Sequence, residues 1–178
     1  LKGSFFMIYP YKDKTPKIDS SVFVADYVTI IGDVEIEEES SVWFNTTIRA
    51  DLAPVRIGKG VNIQESSVIH QSTDIPVIIE DKVTIGHNVV LHSCTIRKGA
   101  LIGMGAVVLD GAEVGEETLI AAGAVVTPGK VIPPRSLAVG NPAKVVRELT
   151  EKDIEDMYRG QRSYVEKAKY YKSIVKSL

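Results

Sequence analysis

The sequence predicts a parallel β-helix of triangular coils followed by a single C-terminal α-helix. Aliphatic residues recur every sixth position: at Ile18, Val24, Ile30, Ile36, Val42 and Ile48, at Ile57, Ile63 and Ile69, and at Ile79, Ile85 and Leu91. The series then runs from Ile96 through Ile102, Val108, Val114 and Ile120 to Val126. The position four later is often small or β-branched, as at Ala100, Ala106, Ala112, Thr118 and Ala124. A period of six fits neither an amphipathic helix nor a long plain strand. It fits short strands joined at tight corners, with the aliphatic residue inside and three hexads to a coil. The eighteen hexads of the series give about six coils.

Along the chain, Met7 reads as the native start, which makes residues 1–6 extraneous, and the β-helix is expected over residues 7–148. The step from Ile48 to Ile57 is nine residues and that from Ile69 to Ile79 is ten, so three and four residues are extra. Such insertions leave the coil as loops, and loops beside candidate ligands are natural pocket walls. The step from Leu91 to Ile96 is only five, and the spacing gives no account of the missing residue. Pro133-Pro134, Gly140 and Asn141-Pro142 mark the exit. Thr150, with Asp153 three residues on, reads as an N-cap resembling a capping box. Ile154, Met157, Tyr158, Gln161, Tyr164, Val165, Ala168 and Tyr171 then fall mostly on one face. Residues 149–178 are therefore expected to form a helix laid along the β-helix wall and not a separate domain.

Of 178 residues, 44% are hydrophobic and 25% charged, with a formal net charge of -2, which gives no reason to expect nucleic acid or an anionic membrane as partner. The single cysteine, Cys94, excludes an intrachain disulfide. No apolar run has the length of a membrane span and no signal-peptide pattern is present, so a cytoplasmic protein is expected.

The chain has three histidines, His70, His87 and His92. His70 follows the inward Ile69 and His92 follows the inward Leu91, a separation of 22 residues that equals one eighteen-residue coil with four residues inserted. They are expected to stack on adjacent coils, about 4.8 Å apart along the axis. Arg49 follows Ile48 in the same way and joins their column. His87 lies in the preceding hexad and turns away round a corner. A second subunit that brings its own His87 to the column would make three imidazoles converge, and a three-faced prism packs naturally as a homotrimer. Three neutral imidazoles with an open position suit Zn²⁺, with Co²⁺ or Fe²⁺ also compatible by ligand type. The competing reading makes each histidine an ordinary surface residue of a strand.

Arg49-Ala50-Asp51, Asn62-Ile63-Gln64-Glu65, His70 and the run Gly86-His87-Asn88-Val89-Val90-Leu91-His92 resemble the γ-class carbonic anhydrases and their bacterial relatives. The likeness covers nearly the whole chain. It implies a single-stranded left-handed parallel β-helix that trimerises around interfacial metals, with His70 and His92 from one subunit and His87 from the next. It also implies that Asn62 and Gln64 stand beside a metal-bound water, and that Arg49 and Asp51 pair across the subunit interface. Gly140-Asn141-Pro142-Ala143-Lys144 and the following helix are similar to the family's C-terminal segment, from which Tyr164 would reach the pocket.

Gln64 carries an amide able to donate to a substrate oxygen or to accept from the attacking water. The plainer alternative for Gln64 and Asn62 is a pair of amides satisfying turn backbone. An Arg49–Asp51 ion pair would position subunits. Glu65 would either pair with an arginine across the interface or be solvated. Tyr164, Trp43 and Cys94 read first as packing residues. The expected reaction is reversible hydration of CO₂ to bicarbonate by a metal-activated hydroxide. The value of about 7 for the ionisation of a zinc-bound water is itself taken from carbonic anhydrase. Leu52 after Asp51, and Gln71-Ser72-Thr73 after His70, stand where the family's best-known members carry acidic proton carriers, so low activity is compatible with the sequence. Two rivals share the fold. One is a metal-binding member with weak hydratase activity, acting as a scaffold or on small esters and thioesters. The other is a hexapeptide-repeat acyltransferase, which would need a histidine poised by a carboxylate and a basic patch for coenzyme A.

Overall fold

The computed structural model describes residues 7–175; residues 1–6, expected to be extraneous, lie outside the described residues. The chain forms a left-handed parallel β-helix of about seven turns with one C-terminal helix. Three aliphatic ladders run its length in register. One carries Ile30, Ile48, Ile69, Leu91, Val108 and Val126. The second carries Val24, Val42, Ile63, Ile85, Ile102, Ile120 and Ala138. The third runs from Ile18 and Ile36 to Val114 and Ile132. The six-residue period thus becomes a buried core in which each rung rests on its neighbours.

The expected coil number was about six, and the structure has seven. Ile8 pairs with Ile30 to open the first coil, and Ile132 and Ala138 extend two ladders beyond Val126. The sequence pattern is hard to follow there because Pro133-Pro134 and Ala138 replace the usual aliphatic signal. A second addition is the strand Lys144–Glu148, which folds back antiparallel on Ser136–Val139. All five of its residues are exposed, so no alternation of burial betrays it in the sequence.

The two other corners turn with regular steps of six, and the departures gather on one corner, between the first ladder and the third. From Ile8 to Ile132 the successive steps there are ten, six, nine, ten, five, six and six residues. The regular corners are held by residues in the left-handed region, such as Asn45, Ser66 and Asn88 on one edge.

The α-helix α1, Glu151–Val175, lies along one face. A 25-residue helix is about 37 Å long, enough to run down seven coils spaced about 4.8 Å apart. Its N-terminal half sets Ile154 and Met157 on Leu101, Leu119 and Leu137, the outward residues of the lower coils. Its C-terminal half packs Tyr164 and Tyr171 against Trp43, with ring centroids 5.4 and 5.2 Å away. Gln161 donates to the Gly60 carbonyl at 2.6 Å, tying the middle of the helix to a corner. No helix among the described residues is long and apolar enough to cross a membrane.

Candidate metal centre

The irregular corner carries His70 and His92. The strands Val68–His70 and Val90–His92 pair in parallel with His70 directly opposite His92. Because alternate residues of a strand face opposite ways, Ile69 and Leu91 enter the core and both imidazoles point out. Their ring centroids are 5.2 Å apart, and His70 Nδ1 faces His92 Nε2 at 3.1 Å.

The outer nitrogens are taken by carboxylates. His70 Nε2–H donates to Asp51 Oδ1 at 3.1 Å, and His92 Nδ1–H donates to Asp110 Oδ1 at 2.6 Å. A carboxylate only accepts, so with neutral rings these bonds consume both N–H groups. Two lone pairs are left facing each other across 3.1 Å. A proton shared between them as an N–H···N bond, or a metal cation bound by both, relieves that contact. A tetrahedral zinc ion with nitrogens at about 2.0–2.1 Å would space two such ligands by roughly 3.3 Å. The 3.1 Å spacing of the two nitrogens is thus close to that of two imidazoles on one divalent ion.

Partial burial would raise the Asp51 carboxyl, but the Arg49 guanidinium and the His70 N–H outweigh it and hold the group below its usual range. Arg49 pairs with Asp51 inside the chain. The Asp110 carboxyl is likewise held low, first by the Ser72 hydroxyl and then by His92. Two of the acidic groups at this corner are thus anionic at neutral pH and complement a cation.

His87 occupies a different corner, on the turn between Thr84–Ile85 and Val90–His92. Asn62 and Ile63 pair with Thr84 and Ile85, which brings Glu65 beside His87 on the next coil. His87 Nδ1 donates to Glu65 Oε2 at 2.6 Å. Gln64 and Asn62 lead into this same corner. Gln64 Nε2 donates to Asn62 Oδ1 at 3.0 Å, and Asn62 Nδ2 donates to Thr84 Oγ1 at 2.9 Å. Both amides are buried. Tyr164 is half-buried, and burial first, then the charge of Glu65, raise its hydroxyl above the ordinary value. Within one chain, then, Asn62, Gln64, Glu65, His87 and Tyr164 form one group, and Arg49, Asp51, His70 and His92 form another. Among the described residues no three His, Cys, Asp or Glu side chains converge on one point. A single subunit supplies two imidazoles of a possible set and holds the third elsewhere.

Asp110 and Ser93 belong to no motif in the sequence, and Ser72 enters it only within the run Gln71-Ser72-Thr73. Asp110 Oδ2 accepts from Ser72 Oγ at 2.6 Å, and the Ser72 amide donates to Ser93 Oγ at 2.6 Å. The only signal available was the five-residue step at Leu91–Ile96, which lies at this spot.

Two family models match the chain: "Bacterial transferase hexapeptide (six repeats)" over residues 93–128 and "Hexapeptide repeat of succinyl-transferase" over residues 54–93. The chain is 64% identical to a carbonic anhydrase of Geobacillus kaustophilus, over 94% of this chain and 92% of that relative. It is 37% identical to the mitochondrial gamma carbonic anhydrase 2 of Arabidopsis thaliana, over 90% of this chain and 60% of that relative. A crystal structure of the BC4754 gene product of Bacillus cereus, described as a candidate acetyltransferase, superposes with a TM-score of 0.95 at 60% identity, covering 96% and 99% of the two chains.

Proposed function

The chain belongs to the γ-class carbonic anhydrase family, and from that premise we propose that it hydrates CO₂ reversibly to bicarbonate at a divalent metal shared between subunits of a homotrimer. The observation that carries this reading is the in-register pair of imidazoles on adjacent coils, with His70 Nδ1 and His92 Nε2 3.1 Å apart and each ring held by a carboxylate on its far nitrogen. A second observation supports the trimer. Of the three faces of the prism, one lies under α1 and one carries charged ladders such as Lys17–Glu35–Arg56 and Glu80–Arg97–Glu113. The remaining face runs between the His87 corner and the His70–His92 corner, and its outward residues include Val68, Val90, Val107 and Val125. Packing that face against a second copy would bring the two histidine corners together.

In this arrangement His70, His92 and the neighbouring subunit's His87 would hold the metal, with Zn²⁺ suited and Co²⁺ or Fe²⁺ compatible. When bound, the metal supplies the Lewis acidity that makes water nucleophilic near neutral pH. Gln64 and Asn62 come with the His87 corner, where their amide chain fixes both side chains; the second N–H of Gln64 would serve a reacting oxygen. Arg49 holds Asp51, and Asp51 holds the His70 ring. Tyr164 reaches the pocket from the helix, near enough to Glu65 for the carboxylate charge to act on its hydroxyl. Leu52 is exposed where an acidic carrier would serve, leaving Glu65 and solvent buffer to move the proton, so turnover is expected to rise with buffer concentration.

The test is stopped-flow CO₂ hydration on protein loaded separately with Zn²⁺, Co²⁺ and Fe²⁺, beside a His87→Ala variant. Metal-dependent turnover reduced by at least about 100-fold in the variant is the expected result. Metal-loaded protein without turnover would move the assignment to a metal-binding scaffold or a small-ester hydrolase.

One observation favours a transferase. His87 is about two-fifths exposed and is poised by the Glu65 carboxylate, as a general base would be. That reading leaves the in-register His70–His92 pair without a role. Calorimetric titration with coenzyme A separates the two: tight binding supports the transferase, and none leaves the hydratase.

A further inference from the structure

We infer that Asp110 is a positioning residue for the metal centre: it locks His92 in the tautomer that carries its proton on Nδ1 and aims the Nε2 lone pair at the metal. The inference rests on the metal-centre reading above and adds a residue to it. One oxygen of the carboxylate accepts from His92 Nδ1 at 2.6 Å and the other from Ser72 Oγ at 2.6 Å, so both ends of the group are fixed. Ser72 is itself anchored through its amide to Ser93 Oγ at 2.6 Å. The carboxylate spans three coils, from its own, past that of His92, to that of Ser72.

The short step at Leu91–Ile96 makes this reach possible. Leu91 pairs with Val108 and Thr95 with Glu113, so three residues turn the corner in the upper coil and four in the lower. Ser93 and Gly111 both take the left-handed conformation, and the Gly111 amide donates to the Ser93 carbonyl at 2.7 Å. Cys94 and Ala112 are both buried. Asp110 is then the residue with no counterpart above it. A sixth residue in the His92 corner would stand between the Asp110 carboxylate and Ser72. The missing residue is an opening through which the carboxylate enters. Histidine ligands whose second nitrogen donates to a carboxylate lose about 10- to 100-fold in metal affinity when that partner is removed.

The test measures Zn²⁺ affinity by chelator competition, and the ring-nitrogen NMR shifts of His92 in metal-free protein, for the wild type, Asp110→Asn and Ser72→Ala. In Asp110→Asn the amide can offer N–H to His92 Nδ1 and push the ring proton to Nε2. The expected result is about 10- to 100-fold weaker Zn²⁺ binding, with His92 signals moved toward the Nε2–H form. Ser72→Ala is expected to show smaller changes of the same sign. Unchanged affinity and unchanged His92 shifts in Asp110→Asn, beside a wild type that binds Zn²⁺, would overturn the role of Asp110 alone. A wild type that does not bind Zn²⁺ would overturn the metal centre itself, and the inference with it. Should Asp110→Asn fail to fold, Ser72→Ala decides by the same two measurements, and the absence of any change overturns the inference.

Discussion

At the scale of single residues, the candidate centre is built from side chains whose protons are assigned by their neighbours. Asp51 and Asp110 take the outer N–H groups of His70 and His92, and what remains is a pair of ring nitrogens 3.1 Å apart. Neither ring nitrogen is special in itself; the acceptors around it decide which one keeps its lone pair. Backbone constraints beside the site are as strict. Gly32 adopts a φ of 83°, and a Cβ there would overlap the Ala50 carbonyl oxygen in the coil that carries Arg49 and Asp51. The obstacle is backbone, so the neighbour cannot swing aside. Gly32→Ala is expected to destabilise the fold by about 2–4 kcal/mol from backbone strain and overpacking. Urea unfolding checks this, and a loss below about 1 kcal/mol would mean the coil relaxes there.

At the scale of elements, the corners and the helix are held by different means. The N-terminus of α1 is closed reciprocally: the Asp153 amide donates to Thr150 Oγ1 at 3.2 Å, and the Asp153 carboxylate accepts from the Thr150 amide at 2.8 Å. Asp153 also pairs with Arg147 on the returning strand, so one carboxylate ties strand to helix. Its carboxyl lies well below the usual range, first because of the Arg147 guanidinium and then because of Thr150. A depressed folded value stabilises the protein above the unfolded carboxylate range and loses that contribution as acid protonates the group. Thr150→Ala is expected to lose about 1 kcal/mol near neutral pH. It should also show a weaker fall in stability below about pH 4 than the wild type. Thermal unfolding of both proteins near pH 7 and near pH 3 checks the size and the sign. Equal losses at the two pH values would separate the cap from Asp153. The expected helix stripe places its residues as drawn from the 3.6-residue period, with Ile154, Met157, Gln161 and Ala168 all buried. The returning strand Lys144–Glu148 had no such stripe to read.

At the scale of the whole molecule, three faces with one backbone pattern have three different surfaces. One is covered by α1, one is laced with ion pairs, and one presents valines between two histidine corners. On the proposed trimer, Val107→Asp places a charge on the third face one coil below Val90, while His70, His87 and His92 keep their places. The expected outcome is a monomer by light scattering, together with loss of metal-dependent turnover. A variant that stays trimeric would show that this face is not the interface. Because the proposed ligands are divided between two corners of one chain, assembly and activity are expected to fail together.

The sequence by itself determined the coil, its three ladders, the helix and the alignment of His70 with His92. These follow from a strict period, and a period survives translation into register because each coil repeats the one before. The tertiary structure decided what the period does not encode: the seventh coil, the antiparallel return, and the gathering of the insertions and the deletion on one corner. It also decided the partners of the imidazoles. Glu65 meets His87 across one coil, and Asp110 meets His92 across one and Ser72 across two. Such contacts depend on how far a side chain reaches past a corner, and the five-residue step marks that place in the sequence without saying which group fills it.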